Sequence, residues 1–165
     1  MKSFFEKSKK HEMQQAFELC QQFDIELKQI EPIPGTTGDF TVSHGVSPQF
    51  PVGSIVEFKY DFYSMKSGNV FLEFEQTRDG WFTSKASGVK LAIDNGNIVI
   101  ITIPCEIAGK TTKNFILRTH KEYNALVQNS HRTITTRRNS NGNSNGVFSR
   151  GHLVKVAFLE NLENF

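Results

Sequence analysis

The stretch SIVEFKYD, residues 54–61, carries the reading of the fold. Val56, Phe58 and Tyr60 fall on one side of an extended chain, and Glu57, Lys59 and Asp61 on the other. This strict period of two predicts a β-strand with one apolar and one polar face. Upstream, residues 39–43 (DFTVS) alternate in the same way, and residues 25–30 (IELKQI) suit a short strand. Two Pro and two Gly make residues 31–38 (EPIPGTTG) a loop, and residues 44–53 (HGVSPQFPVG) form a turn region. Before these, Met13, Ala16, Phe17 and Cys20 recur at i, i+3, i+4 and i+7, predicting a helix over residues 3–23 with one apolar stripe.

Downstream, residues 70–76 (VFLEFEQ) predict a further strand between turns at 65–69 and 77–80. A short helix is expected over 86–94, opening at Ser87. The nearly continuous β-branched run at 97–104 (NIVIITIP) predicts a strand buried on both faces. Residues 115–117 suit another short strand. Thr119 suits a helix N-cap, with Glu122 three residues on completing a capping box and the helix running to Gln128. Residues 129–150 contain the low-complexity run NSNGNSNG (139–146) and are expected to be a flexible basic loop. Residues 153–159 are strand-like. The whole predicts one mixed α/β domain over residues 1–165, a central mixed β-sheet flanked by helices.

Composition narrows the function. With 165 residues, 38% of them apolar and 22% charged, the chain suits a globular domain with one core. No run approaches 18 apolar residues, so no membrane span is expected. The start, MKSFFEKSKK, has no apolar centre and does not read as a signal peptide. Two Cys, at 20 and 105, make no disulfide framework and are expected to be buried small hydrophobes; an intracellular, cytoplasmic setting is expected. Net charge is +2, yet no Asp or Glu occurs between Tyr123 and Leu159. Arg132, Arg137, Arg138 and Arg150 in that acid-free stretch are candidates for gripping a phosphate backbone.

The residues best placed for chemistry are Asp39, Glu57 and Lys59. Glu57 and Lys59 are two apart on one strand and point to one face. If the strand that begins at Asp39 is its neighbour, the two carboxylates approach and repel unless a cation lies between them. A hard divalent ion with oxygen ligands, Mg²⁺ or Mn²⁺, fits such a pair. It would polarise a phosphodiester, and a lysine beside it would orient the attacking water. The plainer alternative is a turn-ending aspartate beside an exposed, ion-paired strand face.

The pattern D-(17 residues)-E-x-K, on consecutive strands after an N-terminal helix, resembles the PD-(D/E)xK nuclease superfamily, whose core order is αβββαβ. Residues 56–89 also resemble small phage-type, Holliday-junction-resolvase-like endonucleases, in which E-x-K is followed by an SGN turn, a strand with Glu and an SGV segment. Position 38 is Gly where the motif has Pro. The resemblance covers about two-thirds of the chain. It implies Asp39, Glu57 and the Phe58 backbone carbonyl as metal ligands, and Lys59 as the catalytic lysine. A Glu from the first helix often joins such sites; Glu12 is the preferred candidate and Glu18 the other. Asp61, Glu73, Gln76 and Ser87 are further candidates. The implied activity is Mg²⁺-dependent hydrolysis of double-stranded or branched DNA, with Mn²⁺ substituting, by an enzyme encoded by a phage or mobile element and able to act as a homodimer. A non-cutting nucleic-acid-binding protein on the same fold is the alternative.

Overall fold

The computed structural model describes residues 4–30, 39–107, 109–138 and 147–165. In chain order the elements are helix α1 (Phe4–Phe23), strands β1 (Ile25–Gln29), β2 (Phe40–Gly45) and β3 (Ile55–Tyr60), and the single turn α2 (Ser64–Ser67). A hairpin of β4 (Asn69–Arg78) and β5 (Trp81–Ala86) follows, then α3 (Gly88–Asp94), β6 (Ile98–Ile107), β7 (Lys110–Leu117) and α4 (His120–Gln128). The chain closes with β8 (Arg132–Arg138), β9 (Val147–Lys155), the turn α5 (Val156–Leu159) and β10 (Glu163–Asn164). The class is mixed α/β, and α1–β1–β2–β3 followed by α3–β6 reproduces the expected αβββαβ order.

The strands make two sheets. Sheet A runs β1-β2-β3-β6-β7-β10, and within it β3 and β6 pair in parallel while the other neighbours are antiparallel. Sheet B is antiparallel, in the order β5-β4-β9-β8. The strand expected at 70–76 therefore leaves the central sheet. Both edges of β3 are already taken, by β2 and β6, so β4 finds its partners in β5 and β9.

β6 is buried on both faces, as its β-branched run requires. Ile98 and Ile100 join Val56, Phe58, Ala16 and Leu19 in the core beneath α1. Val99, Ile101 and Ile103 join Val70 and Leu72 of β4, Val89 and Ile93 of α3, and Tyr123 and Leu126 of α4 on the other side. Each fully buried side chain of this kind contributes about 1.5–3 kcal/mol.

Local signals place the helices. Thr119 accepts from the Glu122 N–H, and the Glu122 side chain accepts from the Thr119 N–H, so α4 opens on the predicted capping box. Ser87 is the N-cap residue of α3 in extended conformation. In α1 the expected stripe is rotated. Met13 and Phe17 are 51% and 62% exposed, while Gln15, Ala16 and Leu19 are buried. Ring contacts accompany that rotation in the middle of the helix and at its C-terminal end. The His11 ring lies 4.5 Å from Tyr60 and 5.2 Å from Phe62, and Phe23 lies 4.7 Å from Phe50. Cys20 and Cys105 are free and half-buried rather than fully enclosed.

The segment 129–150 is not one loop. Residues 132–138 and 147–150 belong to the antiparallel pair β8–β9, with Thr135 opposite Arg150. The Thr/Ile run RTITT supplies the β-branched side chains that favour a strand. The low-complexity run 139–146 lies outside the described residues. Among the described residues no helix is long and apolar enough to cross a membrane.

Candidate active site

The site lies where β2 and β3 part. Their ladder pairs Phe40 with Val56 and Thr41 with Ile55, and the Asp39 N–H donates to the Val56 carbonyl at 3.0 Å. Two residues further along β3, at Phe58, the Asp39 side chain replaces the strand. The Phe58 N–H donates to its Oδ2 at 2.7 Å. Because a strand residue directs its N–H and C=O to the same side, the Phe58 carbonyl also points into this fork, beside the Asp39 carboxylate.

Glu57 and Lys59 share the sheet face that bears Val99 and Ile101, opposite which they sit in the parallel pairing. Asp39 is on that face too, since Phe40 beside it belongs to the core under α1. Glu57 is buried, and its Oε1 lies 3.4 Å from the Lys59 ammonium, which remains partly exposed. Its other oxygen, Oε2, is buried with no hydrogen-bond partner. Burial pushes the Glu57 carboxyl above its ordinary pKa, and Lys59 pulls it back. The charges of Asp39 and Glu73 push it up further. Asp39 is raised as well, by burial, against the pull of the Phe58 N–H and Lys59. Two carboxylates, one with an unsatisfied oxygen, and a carbonyl converge beside a lysine. That oxygen donor set suits Mg²⁺, which takes one or two carboxylates and keeps several waters. Among the described residues, no group of three or more His, Cys, Asp or Glu side chains is placed to hold a metal ion, so a cation here would rest on Asp39, Glu57 and backbone oxygen.

The remaining candidates separate clearly. Asp61 is filled by the backbone: its Oδ1 accepts from the Tyr63 N–H at 3.1 Å and its Oδ2 from the Phe71 N–H at 2.9 Å. It brackets the end of β3 to the start of β4. Glu73 is buried, and the Gln76 amide donates to both its oxygens at 3.3 Å. Gly88 packs on Glu73; a Cβ at Gly88 (φ +57°) would come within 2.6 Å of the Glu73 Cβ. The Ser87 hydroxyl is buried without a partner and makes no cap hydrogen bond.

Glu12 rides on α1, which covers the sheet face of Val56, Phe58 and Tyr60, opposite Glu57 and Lys59. Glu18 is drawn elsewhere. It accepts from Asn114 of β7 at 3.4 Å, two strands from β3, and lines an open cleft with Gln22, Thr112 and Phe165.

The arginines also divide. Arg132 is exposed at the start of edge strand β8. Arg150 packs its guanidinium 3.9 Å over the Phe82 ring and pairs with Glu75 at 3.3 Å, so it braces β9, β4 and β5. Arg137 and Arg138 end β8, opposite Phe148 and Val147. Strict alternation would put Glu73 and Glu75 on one face of β4. A register shift between Glu73 and Glu75 in the β4–β9 ladder separates the environments of these two acids, and alternation alone does not report it.

Comparison with protein-family models, with curated proteins and with solved structures finds no match to the chain.

Proposed function

We propose that the protein is a metal-dependent DNA endonuclease of the PD-(D/E)xK kind. The observation that carries the reading is the fork of β2 and β3. It gathers Asp39, Glu57 and Lys59 on one face and leaves a buried Glu57 oxygen without a partner. A buried carboxylate oxygen without a donor is costly, and a bound cation offsets that cost. Asp39, Glu57 and the Phe58 carbonyl would hold Mg²⁺, with Mn²⁺ as a substitute. When bound, the ion supplies Lewis acidity toward the phosphodiester and lowers the pKa of water.

The chain's own groups do the rest. Asp39, tied to the Phe58 N–H, keeps its second oxygen turned away from that bond. Glu57 holds the Lys59 ammonium in place, and the partly exposed end of Lys59 reaches the substrate side. There it orients the attacking water and stabilises the charge that builds on the phosphoryl oxygens. Water adds to phosphorus in line and loses a proton to solvent; the 3′-oxygen leaves and takes one up. The products are 5′-phosphate and 3′-hydroxyl ends. Arg132 and the rest of the β8–β9 hairpin would lie along the phosphate backbone. Junction-resolving, homing and restriction-like roles all use this chemistry, and a dimer would place two sites for two strands.

The test is cleavage of supercoiled plasmid, linear duplex, single strand and a four-way junction by wild type and Lys59→Ala, in Mg²⁺, Mn²⁺ and EDTA. Metal-dependent cutting lost in the variant is expected, and the preferred substrate selects the role. DNA shifted in a gel but never cut would replace the nuclease with a non-catalytic DNA-binding protein.

A further inference from the structure

We propose that the tip of the β4–β5 hairpin is a binding surface for unpaired DNA bases, with Trp81 as the stacking platform and Arg78 on the neighbouring phosphate. The inference deepens the nuclease reading and rests on it for the choice of DNA: it names the form, single-stranded or branched, that the protein holds.

The two strands join through Asp79 and Gly80 alone. Both have positive φ, +52° and +82°. That is the two-residue type I′ turn, whose twist matches the strands it joins and which Asp-Gly favours. Arg78 and Trp81 flank it and stand opposite each other in the ladder. Directly opposite residues share one face of the sheet, with Cβ atoms about 4.5–5.5 Å apart. A tight turn thus sets a guanidinium and an indole side by side at the end of sheet B.

Trp81 is 79% exposed, although an indole is among the side chains with most to gain from burial. The next residue gives the contrast: the Phe82 ring already carries the Arg150 guanidinium at 3.9 Å. Arg78 and Lys85 are exposed on the hairpin, and among the described residues neither has an ion pair. Arg132 of β8 is exposed as well. Of the hairpin's acids, Glu73 is buried and Glu75 is paired with Arg150, which leaves Asp79 of the turn as the exposed one. β8 and β9 contain no acid. An isolated exposed ring needs no explanation, but a ring set among uncompensated cations has a definite complement. Cations that follow phosphates, beside an aromatic face that stacks on bases, are what single strands bind. Inside a duplex each base face is covered by the next pair, so an indole finds its partner only in a single strand, a tail or a branch point.

Trp81 is the sole tryptophan of the chain, so its emission reports the contact directly. The full-length chain is titrated in EDTA, where metal-dependent cutting is off. A short oligothymidylate should bind and quench the emission; a long linear duplex at equal nucleotide concentration should leave it nearly unchanged. Trp81→Ala should weaken oligothymidylate binding, followed by the anisotropy of a labelled strand, on the order of tenfold. Duplex binding and the unfolding midpoint should not move, and Trp81→Phe should restore most of the loss. Arg78→Ala should lower the single-strand salt slope by roughly 0.7. Equal quenching by the duplex, or unchanged oligothymidylate affinity in Trp81→Ala, would overturn this surface and leave the Lys59→Ala cleavage test standing. Tighter binding of oligouridylate would overturn DNA as its partner. Strand binding through Trp81 with no cutting of any DNA would keep the surface and remove the nuclease.

Discussion

Asp39 lies beside the middle of β3 and Asp61 just past its end, and both start from the same physics. Each is partly buried, each accepts backbone N–H groups, and burial raises the pKa of each. They end differently. Asp61 has both oxygens engaged, by Tyr63 and Phe71. Asp39 has one oxygen on Phe58, and the groups acting beyond that bond are the charges of Lys59 and Glu57. A filled carboxylate is a brace between strands; a half-filled one beside a second carboxylate is where the proposed cation would sit. Residue type and burial do not separate the two roles, and the count of satisfied lone pairs does.

Isosteric exchange should break this comparison most sharply. Asp39→Asn keeps an acceptor for Phe58, so the unfolding midpoint should hold, while cleavage falls on the order of a thousandfold. Asp61→Asn has the reverse outcome. An amide offers one acceptor oxygen, and its NH₂ would then face a backbone N–H. A loss of about 2–3 kcal/mol is expected by urea denaturation, with metal binding retained in the fraction still folded. Equal stability losses at both positions would erase the distinction.

The pH dependence sharpens it further. The Glu57 carboxyl is raised in the folded chain, so the folded state holds its proton to a higher pH than the unfolded state, which titrates near about 4. The folded chain therefore binds more protons across that window, and stability falls as pH rises through it. Glu57→Gln removes this term. Its stability advantage over wild type, in metal-free buffer, should be absent near pH 4 and grow with rising pH. A constant difference across pH 4–7 would show that Glu57 carries no raised pKa. Cation binding has the opposite sign, since the ligand must be deprotonated, and should fail as pH falls.

The smallest effect is expected on sheet B. Arg132→Ala should weaken DNA binding evenly across sequences and reduce the salt slope by about one. Arg150→Ala should act mainly on stability, since its guanidinium is already taken by Glu75 and Phe82. A larger salt effect at Arg150 than at Arg132 would reverse that assignment.

Much of the site's frame was legible in the chain. The alternation of SIVEFKYD put Glu57 and Lys59 on one face, and the 17-residue spacing to Asp39 suits the return of one strand. What escaped reading was the fate of Glu73 and Asp61. Both lie in alternating runs, and Glu73 is buried and Asp61 half-buried by pairings that alternation does not report. Glu73 pairs with Gly151 across the β4–β9 ladder, and Asp61 reaches Phe71 across α2.

By itself the sequence determined what short-range forces settle. The β-branched run of β6 makes a strand buried on both faces, and Thr119 with Glu122 opens α4 by capping its first N–H groups. Tertiary structure alone decided the second sheet, the rotation of α1 that exposes Met13 and Phe17, and which aspartate has both oxygens on backbone N–H groups and which has one. Periodicity records which residues share a face. It does not record which distant strand or ring will cover that face, because the free energy that chooses belongs to pairings many residues apart.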